Sequence, residues 1–209
     1  MVNGPHTKRQ EQALARREQL LQTALLLFSE KGYRRTSVRD IARAAGVNEA
    51  LLYHYFAGKG DLFRAVLDQY APVRAFGSFL RAAASPHPAQ YAFDEALRAF
   101  GREFLARIRE YRAFIVTMLT EAPSDPELGA ILSEFLRSTN EDITQFLAAY
   151  RDAGQVDAQI PIEAAARALQ GSLMFHFLSG ALHAPADPAD DDRALNELIT
   201  VLLAGLSPR

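Results

Sequence analysis

Tyr53 and His54 stand side by side in the segment NEALLYHYF (48–56), and Arg34, Arg35, Arg39, Arg43 and Lys59 crowd the flanking residues. A phenol can donate to a phosphate oxygen or pack on a sugar, and an imidazole can reach a base edge or a phosphate. Exposing both on one short helix serves no packing purpose, whereas the surrounding cations suit a polyanion. Other chemistries find no footing. The chain has no cysteine, which excludes disulfides and thiolate metal sites. Its 5 histidines are scattered, and it contains no G-x-x-x-x-G-K-[ST] loop, H-E-x-x-H helix or G-x-S-x-G elbow. The reading is therefore not an enzyme, with no metal and no cofactor.

The residues that must position this pair form two short amphipathic helices within TSVRDIARAAGVNEALLYHYF (36–56). Ser37 and Asp40 fit a capping start, although Asp reaches back less well than the Glu of a full capping box. Val38, Ile41, Ala42 and Ala45 supply a buried face small enough for close crossing. Gly46 suits the left-handed conformation that ends a helix and turns the chain. Val47 plugs the corner, and Asn48 is a good N-cap for the second helix. There Leu51, Leu52 and Phe56 face the core, leaving Glu49, Ala50, Tyr53 and His54 outward, with Tyr55 able to face either way. Lys59 opens the next helix, where its ammonium and the free amides can hold a phosphate. The whole reads as a helix-turn-helix, motif residues 37–56, built to lay its second helix in the major groove of DNA.

From about Arg17 to Asp68 the chain resembles the DNA-binding domain of the TetR family of one-component repressors. The matches run in order: F-S-E-K-G-Y, T-S-V-R-D-I-A, A-G-V, L-Y-H-Y-F and K-G-D-L-F. The resemblance implies phosphate contacts from Thr36, Ser37 or Arg39. It implies base or backbone contacts from Asn48, Glu49, Ala50, Tyr53 and His54, and phosphate contacts from Tyr55 and Lys59. Two positions depart from the pattern. Glu49 stands where lysine, arginine or proline is common; it either accepts from a cytosine amino group or complements the positive end of its own helix. Gly60 replaces an acidic residue and should loosen that helix start.

The rest of the chain fits the same reading. The net charge is −2 over 209 residues. It divides unevenly, +5 through Arg64 and −7 beyond, and a basic end on an acidic remainder suits phosphate neutralisation. With 49% hydrophobic residues and 13 phenylalanines the chain can bury a sizeable core. No window approaches the roughly 18 apolar residues of a membrane span, and the polar N-terminus lacks a signal-peptide core, so a cytoplasmic location is expected.

Helical periodicity runs almost throughout, predicting an all-α chain of roughly nine helices. A flexible arm (1–14), a helix-turn-helix domain (15–62) and a C-terminal effector-binding and dimerisation domain (63–209) are expected. Pro72 and the proline-rich breaks at 85–88, 122–126 and 183–192 punctuate the second half, with a bend near Tyr111 and a helix end at Gly154. The resemblance implies an apolar effector cavity. Phe104, Phe114, Met118, Phe146, Met174, His176 and Phe177 are its candidate lining, and a small lipophilic ligand is the expected effector. The last two helices, about 161–183 and 190–206, are expected to make a homodimer. Ala165, Ala168, Gly171, Ser172 and Ser179 give the first a small-residue face. Leu195, Leu198, Ile199, Leu202 and Leu206 form a stripe on the second that completes a four-helix bundle. The function so implied is a ligand-responsive repressor released from palindromic double-stranded operator DNA. A TetR-like activator, a regulator answering to a protein partner, and a helical ligand-binding protein or enzyme without DNA activity are the rival readings.

Overall fold

The computed structural model describes residues 8–70, 92–182 and 188–208. Pro72, the 85–88 break and the first half of the 183–192 break lie outside these. Among the described residues the chain is all-α, with nine helices and no strand. They are α1 (Lys8–Lys31), α2 (Val38–Ala44), α3 (Glu49–Tyr55), α4 (Lys59–Tyr70), α5 (Phe93–Glu110), α6 (Arg112–Glu121), α7 (Pro126–Asp152), α8 (Ile162–Leu182) and α9 (Pro188–Leu206). A single 3₁₀ turn, Ala122–Ser124, joins α6 to α7. The expected bend falls at Tyr111 between α5 and α6, and Gly154 takes φ +74° just past the end of α7.

The chain divides into two compact units, and the boundary is not the simple one expected at 62/63. The first unit joins Met1–Gln69 to Ala113–Leu132; the second joins Tyr70–Arg112 to Ser133–Arg209. The reason is a set of contacts far apart in sequence. Phe63 packs edge-on against Phe28 and Tyr33, with centroids 5.1 and 5.0 Å away, and Phe114 of α6 lies 5.3 Å from the same ring. Each such aromatic pair adds roughly 0.5–1.5 kcal/mol beyond its buried area. The Tyr33 hydroxyl donates to Glu127 Oε2 at 2.7 Å, and the Arg34 amide donates to Glu121 at 3.1 Å. Two carboxylates on either side of the 3₁₀ turn thus anchor that segment to the end of α1.

Gly60 belongs to this arrangement. A Cβ there would stand 2.5 Å from Glu127 Oε1 and 3.6 Å from Ile131 Cδ1. The missing side chain is therefore room for Glu127, not merely a loosened helix start.

In the second unit Phe93, Phe146 and Tyr150 form one aromatic cluster, with Tyr150 5.1 and 5.0 Å from the other two rings. Helix α9 lies close on α5 because Gly101 leaves space: a Cβ would meet Ile199 Cδ1 at 2.7 Å and Leu195 Cδ1 at 3.1 Å. Leu195 and Ile199 are consequently buried inside the protomer, and Leu206 is buried too. This corrects the expectation that the leucine stripe of α9 faces a second copy. Its exposed apolar and glycine positions are instead Val201, Ala204 and Gly205, with Leu198 and Leu202 half-buried.

Candidate nucleic-acid interface

The start of α2 is fixed by a complete capping box. Ser37 Oγ accepts from the Asp40 amide at 3.1 Å, and Asp40 Oδ2 accepts from the Ser37 amide at 3.2 Å. Asp40 thus does complete the box, supported by an ion pair with Arg43. The Ser37 hydroxyl, the Ser37 amide and then Arg43 hold the Asp40 carboxyl below its ordinary range. Ile41 and Ala42 bury the inner face. The turn follows at Gly46, φ +66°, a region costly for any side chain with a Cβ. Asn48 Oδ1 then accepts from the Leu51 amide at 2.8 Å and starts α3.

Helix α3 is held by Leu52 and Phe56, both buried, and the Arg17 guanidinium sits over the Phe56 ring at 5.4 Å. Leu51 is only half-buried, less than expected. Glu49, Ala50, Tyr53 and His54 face outward, Tyr53 being 53% exposed. Tyr55 is half-buried and meets the His54 ring edge-on at 5.3 Å.

Two open depressions border this helix. One, of about 420 Å³, is lined by Arg34, Arg35, Thr36, Ser37, Val38, Arg39, Glu49, Tyr53 and Lys59. The other, of about 740 Å³, is lined by Leu51, His54 and Tyr55 of α3 and by Arg9, Gln12, Ala13, Ala15, Arg16 and Gln19 of α1. The first brings together six of the ten expected DNA contacts, and adds Arg34 and Arg35 to them. The second takes His54 and Tyr55; Asn48 and Ala50 line neither.

Within the first depression three residues make contacts inside the protein, and one of them, Thr36, differs from expectation. Thr36 is buried, and its hydroxyl donates to Gly32 O at 2.7 Å and Leu27 O at 3.2 Å. Its side chain braces the loop and is not presented to a phosphate. Lys59 lies over the Tyr33 ring at 4.1 Å and donates to Tyr33 O at 3.1 Å. An ammonium has three donors, so this fixes the charge at the wall of the depression while leaving donors for an anion. Glu49 Oε1 stands 3.8 Å from Arg39 Nε, both well exposed. The carboxylate whose sign is wrong for phosphate is thereby partly balanced by its neighbour, in addition to lying at the positive end of α3.

The seven candidate pocket residues are not gathered in one unit. Phe114 and Met118 belong to the first, both buried, Phe114 against Phe63. Phe104, Phe146, Met174, His176 and Phe177 belong to the second. Of these Phe104, Phe146 and Phe177 are buried, and Met174 and His176 are half-buried. On α8 an outward stripe runs Ala164, Ala168, Gly171, Phe175, Leu178, at alternating spacings of four and three. Phe175 is 72% exposed.

Comparison with known proteins meets this geometry from two directions. The family model for bacterial regulatory proteins of the tetR family matches residues 20–66, and that for a tetracyclin repressor-like C-terminal domain matches residues 88–198. The chain belongs to the TetR family. As a member it is a helix-turn-helix transcriptional regulator and not an enzyme. The HTH-type transcriptional regulator UidR of Escherichia coli K12 is 28% identical over 151 residues, 70% of either chain. YttP of Bacillus subtilis strain 168 is 33% identical over 82 residues, an alignment that spans only 39% of either chain. The solved fatty acid degradation regulator FadR of Bacillus halodurans shares the fold at TM-score 0.72 and 20% identity, covering 98% of both chains. Among the described residues, no helix is long and apolar enough to cross a membrane.

Proposed function

We propose that this TetR-family regulator is a homodimeric repressor that leaves a near-palindromic operator when a small lipophilic effector binds. The observation that carries the reading is the exposed Tyr53–His54 pair on a short, firmly capped helix bordered by cation-lined depressions. In the proposed complex Tyr53, His54 and Asn48 address base edges or backbone, Ser37, Arg39, Tyr55 and Lys59 hold phosphates, and Ala50 permits close approach. Two copies present α3 to major grooves about 34–36 Å apart, one helical turn along the duplex.

The second copy docks through α8 and α9. Phe175, Leu178, Gly171 and Val201 support this, because alternating spacings of four and three keep an apolar seam on one side of a helix. The effector would enter the second unit, with Phe104, Phe146, Met174, His176 and Phe177 as its candidate neighbours. A lipophilic effector is supported by the apolar make-up of that unit and by the likeness to a regulator of fatty acid degradation. No cofactor takes part, and the protein works in the cytoplasm beside its DNA. Release requires that the effector bind the DNA-free conformation better than the DNA-bound one.

The test is a mobility shift on the DNA upstream of its own gene, paired with a reporter in a strain lacking the gene. A specific shift with raised reporter output is expected. A specific shift with lowered output makes the protein an activator, and salt-sensitive binding without sequence preference overturns the regulator reading.

A further inference from the structure

Helix α1 begins three turns before its first buried residue, and that projecting part is chemically sorted. Leu20, Leu21, Ala24 and Phe28 are its buried positions, whereas Lys8–Arg16 is wholly exposed. Arg9, Gln12, Ala13, Arg16 and Gln19 share one face, which lines the larger depression beside α3. At about 100° per residue, Glu11 and Glu18 fall on the opposite face. No carboxylate lines this depression, whereas the smaller one contains Glu49.

The two depressions also lie on opposite sides of the recognition helix. Glu49 and Tyr53 line one, and Leu51, His54 and Tyr55 line the other, roughly half a turn round by the same helical period. A helix about 10–12 Å across fills a major groove about 12 Å wide, so a phosphate backbone runs along each side of it. One side already has its cations in Arg34, Arg35, Arg39 and Lys59.

The far side is held in place by a relay. Arg16 Nη1 donates to Gln19 Oε1 at 2.7 Å, and Gln19 Nε2 donates to the carbonyl of Ala45, beside the Gly46 turn, at 3.0 Å. Arg16 is therefore indexed to the helix-turn-helix itself, although it lies outside that motif.

We infer that Arg9 and Arg16 of α1 form a second phosphate-binding wall, clamping the DNA strand opposite the one held by Arg34, Arg35, Arg39 and Lys59. His54 and Tyr55 lie between this wall and the groove floor. The inference rests on the reading of α3 as the recognition helix, and it assigns DNA contacts to a segment outside the helix-turn-helix.

The test compares the wild type, Arg9→Gln, Arg9→Gln/Arg16→Gln and Arg9→Lys/Arg16→Lys on upstream DNA and on a scrambled duplex, across a salt series. Each lost phosphate contact lowers the slope of log K against log salt by about 0.9, so the double Gln variant of a dimer should lose about 3 to 4. Its affinity for both duplexes should fall at least about tenfold while their ratio is kept, because phosphate contacts carry no sequence information. Arg9→Gln alone, which keeps the Arg16–Gln19–Ala45 relay, should lose about half that slope, and the Lys pair should restore it. A slope unchanged in both Gln variants overturns the inference. A slope that falls in a protein that never distinguishes upstream from scrambled DNA supports the wall and overturns the repressor reading instead.

Discussion

The outward faces of α3 and α8 are both exposed and both carry an aromatic ring, yet their surroundings are opposite. Around Tyr53 stand Arg34, Arg35, Arg39 and Lys59, and the ring itself bears a hydroxyl. Around Phe175 stand Gly171, Ala168 and Leu178, and the ring has no polar handle. Exposure is thus not one signal. A phenol among cations is satisfied by water until a polyanion arrives. A bare phenyl in an apolar seam is satisfied only by another apolar surface. In the proposed complex one face meets DNA and the other a second copy of the chain, and the first depends on the second because a single short helix binds DNA weakly.

The largest effect should come from breaking that dependence. Phe175→Glu places a charge in the α8 seam; sedimentation should show a monomer, and operator affinity should fall by about a hundredfold or more as the second half-site becomes a separate binding event. A variant that stays dimeric with wild-type affinity removes α8 from the interface.

Tyr33 tests the anchoring of the first unit at a smaller scale. Tyr33→Phe should cost about 1 kcal/mol in denaturant unfolding through loss of the Glu127 hydrogen bond. Burial first, and the Glu127 carboxylate second, push the Tyr33 phenol above its ordinary range. A raised folded value means the contribution is complete below the unfolded phenol value, about 10, and is lost as pH rises through the folded one. The wild type should therefore lose stability in alkali more steeply than the Phe variant.

Glu49→Gln sharpens the charge side of the comparison. It removes one negative charge from the depression proposed to take phosphate and should tighten binding to scrambled DNA about threefold at low salt, an increment typical of exposed charges. A gain confined to operators lacking one particular base pair would instead reveal base readout by Glu49.

The smallest effect should be at Asp40, whose carboxyl Ser37 and Arg43 hold below its ordinary range. A depressed value contributes above the unfolded carboxylate value, about 3.9, and fades as pH falls through the folded one. Asp40→Asn should slightly flatten the acid limb of the stability profile, read by circular dichroism.

What was legible in the sequence was local. The caps at Ser37 and Asn48, the Gly46 turn, the buried Leu52 and Phe56 and the exposed Tyr53 all follow from helical period and side-chain chemistry within a few residues. What was not legible depends on partners far along the chain. Thr36 looks like a phosphate donor until Gly32 and Leu27 are seen to take its hydroxyl. Periodicity shows that α9 has an apolar stripe, but only Gly101 on α5 reveals that the stripe turns inward. Glu121 and Glu127 read as ordinary surface acids until they meet Arg34 and Tyr33. The basic face of α1 is available from its own period, with Arg9, Gln12, Ala13 and Arg16 recurring at spacings of three, one and three.

Operator reading by α3 is tested most directly at Tyr53. Affinities of the wild type and Tyr53→Ala for upstream and scrambled DNA, measured by mobility shift at one fixed salt concentration, give a discrimination ratio for each. The variant should remain a folded dimer and bind scrambled DNA nearly as before, while its ratio falls by at least about a hundredfold, a per-half-site loss of the size of one lost specific contact. An unchanged ratio would mean that α3 does not read the operator, and the central claim would fail with it.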